Sequence, residues 1–381
     1  MTSDAMEWPV QVATNMCISL GARVESDVNK GALTNLVDGS DQTTWVATGP
    51  FYVAIEVNAT NLDADYLMLN WRAENGKWHD YDFVTESFNR MTVKTSADST
   101  DGSDGQWETV ARLDNKRRDG VLVLPNNKPK WIRVEEASQV HARLVRLDVF
   151  RPAPTGFRND YWMFVGDSLT AADTGAGMYP AEHTRFFADL IRQKFPSYYP
   201  IVLNEGKGGE TAETGAARIA TKLIPENPKG TFICYHEGAN TISTVPKHAY
   251  PGKTNIVADA IRKVITTSMA NGFVPIVSRI AFLRYNNYLP VVDYPKVPNA
   301  EQLGTLPYNL NVVDKLVKEM TPYAYDFARN QPIIDPYTWF RDHQEALRTN
   351  DGVHHVRAGT DAMTQIWADG AAAMVYEQQK H

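Results

Sequence analysis

Ser168 lies in the run FVGDSLT (164–170), where apolar residues give way abruptly to Gly-Asp-Ser. A serine hydroxyl becomes a nucleophile when a base can take its proton, a third group orients that base and donors await the developing oxyanion. TNDGVHHVRAGTDAM (349–363) places Asp351 and His354 three residues apart. One loop can then present both, the imidazole facing the serine and the carboxylate receiving its other N–H. Each piece also has a plainer use. Gly, Asp and Ser form turns, an aspartate ahead of a helix caps it, and a Gly-Gly pair supplies positive φ.

The elements that must position these residues decide between the two uses. After residue 160, apolar runs YWMFVG (161–166), PIVLNEG (200–206), GTFICYH (230–236) and FVPIVSRI (273–280) alternate with helical patterns near 180–194, 211–223, 254–271, 303–324 and 357–377. Near-continuous apolar strands between helices predict a parallel sheet covered on both faces, an α/β architecture with its ligands at the carboxyl ends of the strands. Ser168 follows the first such strand, Gly209 the second and Asn240 the third. Their convergence on one sheet edge favours acyl transfer over coincidence.

The second half, over roughly residues 160–378, resembles the SGNH or GDSL esterase family. GDSL (166–169) matches the block that carries the nucleophile, Ser168. NEGKGGET (204–211) is similar to the second block, HEGANT (236–241) to the third, and DGVH (351–354) to the last. The resemblance implies a three-layer α/β/α hydrolase with a catalytic Ser168, His354 and Asp351. It also implies an oxyanion hole from the backbone of Ser168 and Gly209 and the Asn240 amide. The third block departs from the usual Gly-x-Asn-Asp: Thr241 stands where the family often has a carboxylate, which puts the orientation of the Asn240 loop in question. His355 is a rival base, disfavoured by the Asp-x-x-His spacing. No cofactor or metal is expected: HEGAN (236–240) lacks the last histidine of a zinc-protease helix, and the glycines at 206–209 lack the Gly-Lys-Ser/Thr order of a phosphate loop.

The first 150 residues read differently. FYVAIEV (51–57), YLMLNW (66–71), MTVKTS (91–96), GVLVLP (120–125), KWIRVE (130–135) and LVRLDVF (144–150) alternate with period two between turn signals, which predicts an antiparallel β-sandwich. RPAPTGFRND (151–160) has the composition of a linker, so the expected organisation is a sandwich over 1–152, a linker at 153–159 and a hydrolase over 160–381. LVDGSDQTTWVAT (36–48) and the last two strands resemble the galactose-binding-like, discoidin-type sandwiches, over roughly residues 10–150. That resemblance implies a jelly-roll module that binds sugars. It also implies a structural calcium near Asp38, Asp41 and Thr43, against which stands Arg146 in the place of the completing glutamate.

Six of the nine tryptophans lie in this half, and WHDYDF (78–83) mixes aromatic and polar groups. Trp78 and Tyr81 are therefore candidate sugar contacts, alongside core packing as the commoner use of such rings. In the second half Asp167, Arg279, Tyr285 and Tyr288 are candidate substrate contacts. The last two lie in a long segment, 281–309, that is rich in Tyr, Asn and Pro rather than Leu and Phe, a composition suited to a polar sugar.

A net charge of −7 argues against a nucleic-acid partner. No apolar run reaches the about 18 residues a membrane span needs. No signal peptide is visible at the start, and a glycan-directed protein is expected outside the cytoplasm: extracellular, periplasmic or on a virion. The leading expectation is a serine esterase that removes acetyl groups from a polysaccharide or oligosaccharide. A lipase or thioesterase, an acetyltransferase on the same scaffold, and a glycan-binding protein with an inactive hydrolase half are the alternatives.

Overall fold

The computed structural model describes residues 16–73, 88–114, 119–152, 161–171, 186–196, 198–244, 255–283, 310–347 and 352–376. The chain divides into two compact units, one of residues 14–155 with 195–203, the other built mainly from 156–194 and 204–381.

The first unit contains two antiparallel sheets. One has the order β1-β3-β8-β5-β6 and the other β2-β9-β4-β7, with β1 Val24–Ser26, β2 Trp45–Thr48, β3 Phe51–Glu56, β4 Tyr66–Ala73, β5 Met91–Ser96, β6 Glu108–Leu113, β7 Asp119–Pro125, β8 Trp131–Glu136 and β9 His141–Phe150. The alternating patterns in the sequence are legible here: β5 buries Met91, Val93 and Thr95 and turns Thr92 and Lys94 outward. Trp45, Phe51, Trp71 and Phe88 join one apolar cluster with Val53, Leu69, Ile132 and Leu147, and the Trp45 and Phe51 rings meet edge to face at 5.2 Å. Trp45, Trp71 and Trp131 are therefore core residues, while Trp78 and Tyr81 lie outside the described residues. Residues 195–200 group with this unit although the sequence order places them in the second half. Tyr199 explains it: its ring stacks on Phe150 at 5.9 Å and its hydroxyl donates to Asp148 at 2.9 Å.

The second unit is built on a sheet of order β11-β10-β12-β13: β10 Tyr161–Gly166, β11 Ile201–Gly206, β12 Phe232–His236 and β13 Val274–Val277. β10 pairs parallel with β12, and β12 with β13, in registers that set Gly166 beside His236 and Tyr235 beside Val277. All of β10, β12 and β13 is buried, as expected of a parallel sheet flanked by helices. The helices are α1 Ser168–Ala171, α2 Phe187–Lys194, α3 Ala212–Arg218, α4 Ala239–Thr244, α5 Ile256–Ala270, α6 Leu310–Met320, α7 Pro336–Asp342 and α8 Arg357–Tyr376.

Two expected elements are shorter than their sequence patterns. β13 ends at Val277: Ser278 N–H still donates to Tyr235 O of β12 at 3.2 Å, and the next amide turns away, Arg279 N–H donating to Ile334 O at 3.1 Å. α6 ends at Met320, two residues before Pro322, whose ring has no N–H to continue a helix. No helix among the described residues is long and apolar enough to cross a membrane.

Candidate active site

β10 delivers the chain to the sheet edge, and a single helical turn follows at once. The amides of Thr170 and Ala171 donate to the Asp167 carbonyl at 3.1 and 2.9 Å, so Ser168 opens α1 directly behind the strand. The turn that carries Gly209 is fastened to the same place: Lys207 N–H donates to Gly166 O at 2.8 Å and Glu210 N–H to Lys207 O at 3.1 Å. Gly206 has to be glycine, since a Cβ there would lie 2.3 Å from the Ala171 nitrogen. Gly209 has φ +76°, the left-handed region in which other residues are strained.

Asn240 sits in the first turn of α4, and its side-chain Nδ2 donates to the Glu210 carbonyl at 2.9 Å. The loop before it is held by Asp167, whose carboxylate accepts from the amides of Leu169 (2.9 Å) and Ala239. Thr241 anchors this loop. Its hydroxyl accepts from Ala212 N–H at 2.9 Å and donates to Glu213 Oε2 at 3.1 Å, tying α4 to the first turn of α3. Nothing in the motif spacing signalled this use of a threonine.

His354 comes from the segment before α8. Its Nε2 lies 3.0 Å from Ser168 Oγ across 186 residues of sequence. The segment is latched by Val356 N–H to Ala346 O at 2.9 Å and by a bridge between Leu347 and His355. His355 is buried, its ring stacked on Phe340 at 4.1 Å, which makes it a packing residue. Asp351, the expected orienting carboxylate, lies outside the described residues.

Asp167 does not have the setting of a substrate contact: it is buried and committed to two loop amides. Burial pushes its carboxyl up to about 6, opposed by the Leu169 N–H and the His354 ring. Arg279 is also engaged internally. Its Nε and Nη2 form a fork with Asp314 at 3.1 and 2.6 Å, and Nη1 reaches Asp335 at 2.9 Å. That geometry corrects its expected role from substrate binding to structure. Tyr285 and Tyr288 lie outside the described residues.

The expected calcium residues have protein partners. Asp38 accepts from Thr43 Oγ1 (2.7 Å) and Ser40 N–H (2.8 Å), and Asp41 pairs with Arg146 Nε at 2.5 Å, both partners buried. A guanidinium thus already supplies positive charge beside Asp41. Among the described residues no group of three or more His, Cys, Asp or Glu side chains is arranged to hold a metal.

No family model matches the chain. No curated protein matches it either. Solved structures with some similarity include an acetyl xylan esterase from Geobacillus stearothermophilus (18% identity, TM-score 0.39, covering 57% of this chain and 95% of that one). A lipase/acylhydrolase from Enterococcus faecalis covers 56% of this chain and 95% of its own, at 19% identity and TM-score 0.36. A chitosan-binding module of a Paenibacillus chitosanase/glucanase covers 35% of this chain and 98% of its own, at 17% identity and TM-score 0.28.

Proposed function

We propose that this protein is a serine carboxylic-ester hydrolase. The observation that carries the reading is the 3.0 Å approach of His354 Nε2 to Ser168 Oγ, within the range a general base needs to take a proton. Ser168 Oγ attacks the ester carbonyl while His354 takes its proton. The oxyanion is held by the backbone N–H groups of Ser168 and Gly209 and by the Asn240 amide. Collapse of that intermediate forms the acyl-enzyme and releases the alcohol, which takes the proton back from His354. Water repeats the sequence and frees the acid. Asp351 is assigned the orientation of the imidazole.

The finer reading is a carbohydrate O-acetylesterase. It is supported by the composition of the segment 281–309, which follows β13 in sequence and is rich in Tyr, Asn and Pro, and by a β-sandwich unit of the kind its sequence motifs suggest for sugar binding. The substrate is then an acetylated polysaccharide or oligosaccharide, encountered outside the cytoplasm.

Labelling with a fluorophosphonate followed by peptide mass mapping tests the nucleophile. An adduct on Ser168 that is lost in His354→Ala supports the reading. A wild type that takes up no label, or takes it up elsewhere, contradicts it.

A further inference from the structure

Next to the proposed oxyanion loop lies a carboxyl that the mechanism does not use. Glu237, between β12 and Gly238, is 3% exposed. It packs so closely on α3 that a Cβ on Gly215 would lie 1.8 Å from its Oε2. Neither of its oxygens receives a well-formed hydrogen bond. Among the described residues the charged groups that act on it most are Asp167 just after β10, Glu210 before α3 and Arg218 within α3. Arg218 is already claimed: Nε contacts both Glu210 oxygens at 3.0 Å, and Nη2 donates to the Glu205 carbonyl at 2.7 Å.

Among the described residues a hydroxyl near it is that of Tyr235, on β12, and its proton is given to the Ala212 carbonyl at 2.9 Å. While that bond to Ala212 O is kept, Tyr235 can meet Glu237 only as an acceptor, an arrangement that favours the protonated acid. An ionised Glu237 would add a third carboxylate to the buried Asp167 and Glu210, and Arg218, the cation named beside them, is already paired with Glu210.

We propose that Glu237 is a neutral carboxylic acid in the folded protein, and that it is a positioning residue whose ionisation displaces the Asn240 loop and sets an alkaline limit on catalysis. The catalytic half of this proposal rests on the esterase reading; the protonation half does not. Burial, then repulsion from Asp167 and Glu210, pushes the Glu237 carboxyl up to about 9. Three residues downstream, Asn240 is tied to the Glu210 carbonyl, so a new charge at Glu237 acts on both ends of that bond.

A carboxyl whose pKa is higher folded than unfolded contributes its full stability below the unfolded value of 4.5, and that contribution is lost as pH rises to about 9. The thermal midpoint is therefore measured from about pH 5 to about pH 10 for wild type and Glu237→Gln. The Gln variant is expected to gain on wild type steadily through that window, by the slope of one proton. Infrared spectra of the wild type provide the second measurement: a protonated-carboxyl band present at about pH 7.5 and gone by about pH 10. Parallel midpoint curves, or no such band, overturn the neutral acid.

For catalysis, Glu237→Ala is expected to lower kcat about tenfold or more at neutral pH, with Glu237→Gln recovering most of the loss and lacking the alkaline fall near pH 9. A Gln variant with an unchanged alkaline limb overturns the positioning role. If the wild type hydrolyses no ester at all, the esterase reading fails, and the midpoint and infrared measurements still decide the protonation state.

Discussion

The amide of Lys207 donates to the carbonyl of Gly166 at 2.8 Å, two residues before Ser168, the proposed nucleophile. Through that bond the Gly209 turn and the serine turn move as one piece. The Asn240 loop is fastened to the same piece twice, by its own amide to Glu210 O and by Thr241 to Ala212 N–H. The three positions assigned to the oxyanion are thus fixed relative to one another before any substrate arrives, which is the condition for electrostatic stabilisation without reorganisation.

Thr241→Val keeps the shape and removes the hydroxyl, leaving the buried Ala212 amide without its acceptor. We expect a loss of about 1–3 kcal/mol in stability by thermal unfolding. The freed Asn240 loop should also cost about tenfold in kcat on short-chain esters, with KM moved much less.

The neighbouring histidines should separate cleanly. His354→Ala removes the proposed base and should lower kcat by about 10⁴-fold or more while the thermal midpoint stays near wild type. His355→Ala removes a buried ring stacked on Phe340 and should cost about 2–3 kcal/mol of stability. Enough activity should remain to measure on the folded fraction. Unfolding curves and kcat for both variants check the pair.

The strands were readable in advance because each follows a local rule, and the Asp-x-x-His spacing singled out the histidine whose Nε2 lies 3.0 Å from Ser168 Oγ. β10 fills its apolar run from Tyr161 to Gly166, and β5 matches its alternation from Met91 to Ser96. The short strands β1 and β2 are too brief to show a period, and β6 exposes or half-exposes all of Glu108–Leu113, so no apolar pattern marks it. What was hidden depends on partners distant in sequence. Arg279 looked like a loop cation at an active edge until Asp314 and Asp335 closed on it. Thr241 looked like a defect in a motif until the Ala212 amide gave it a use.

Arg279→Met should leave Asp314 and Asp335 facing each other in a mostly buried network. Removing one partner of such a network costs about 3–5 kcal/mol. Burial already holds the Asp314 carboxyl above its usual range against the pull of Arg279. The variant's deficit, measured by denaturant unfolding, should therefore be largest at neutral pH and shrink in acid as the carboxylates take protons.

In the sandwich unit, Arg146 beside Asp41 takes the place of a cation. A chelator is expected to leave the thermal midpoint of the wild type unchanged, and added calcium to leave it unchanged as well. Arg146→Ala should strand a fully buried Asp41 and cost about 3–5 kcal/mol. A midpoint that falls on chelation and returns with calcium would show a metal site that the guanidinium does not replace.

The most direct measurement is hydrolysis of p-nitrophenyl acetate, butyrate and octanoate by wild type and Ser168→Ala. The expected result is turnover of the acetate that falls steeply with acyl length and drops to background in the variant, whose unfolding curve overlays that of the wild type. Equal rates for wild type and Ser168→Ala on all three esters would contradict a serine hydrolase.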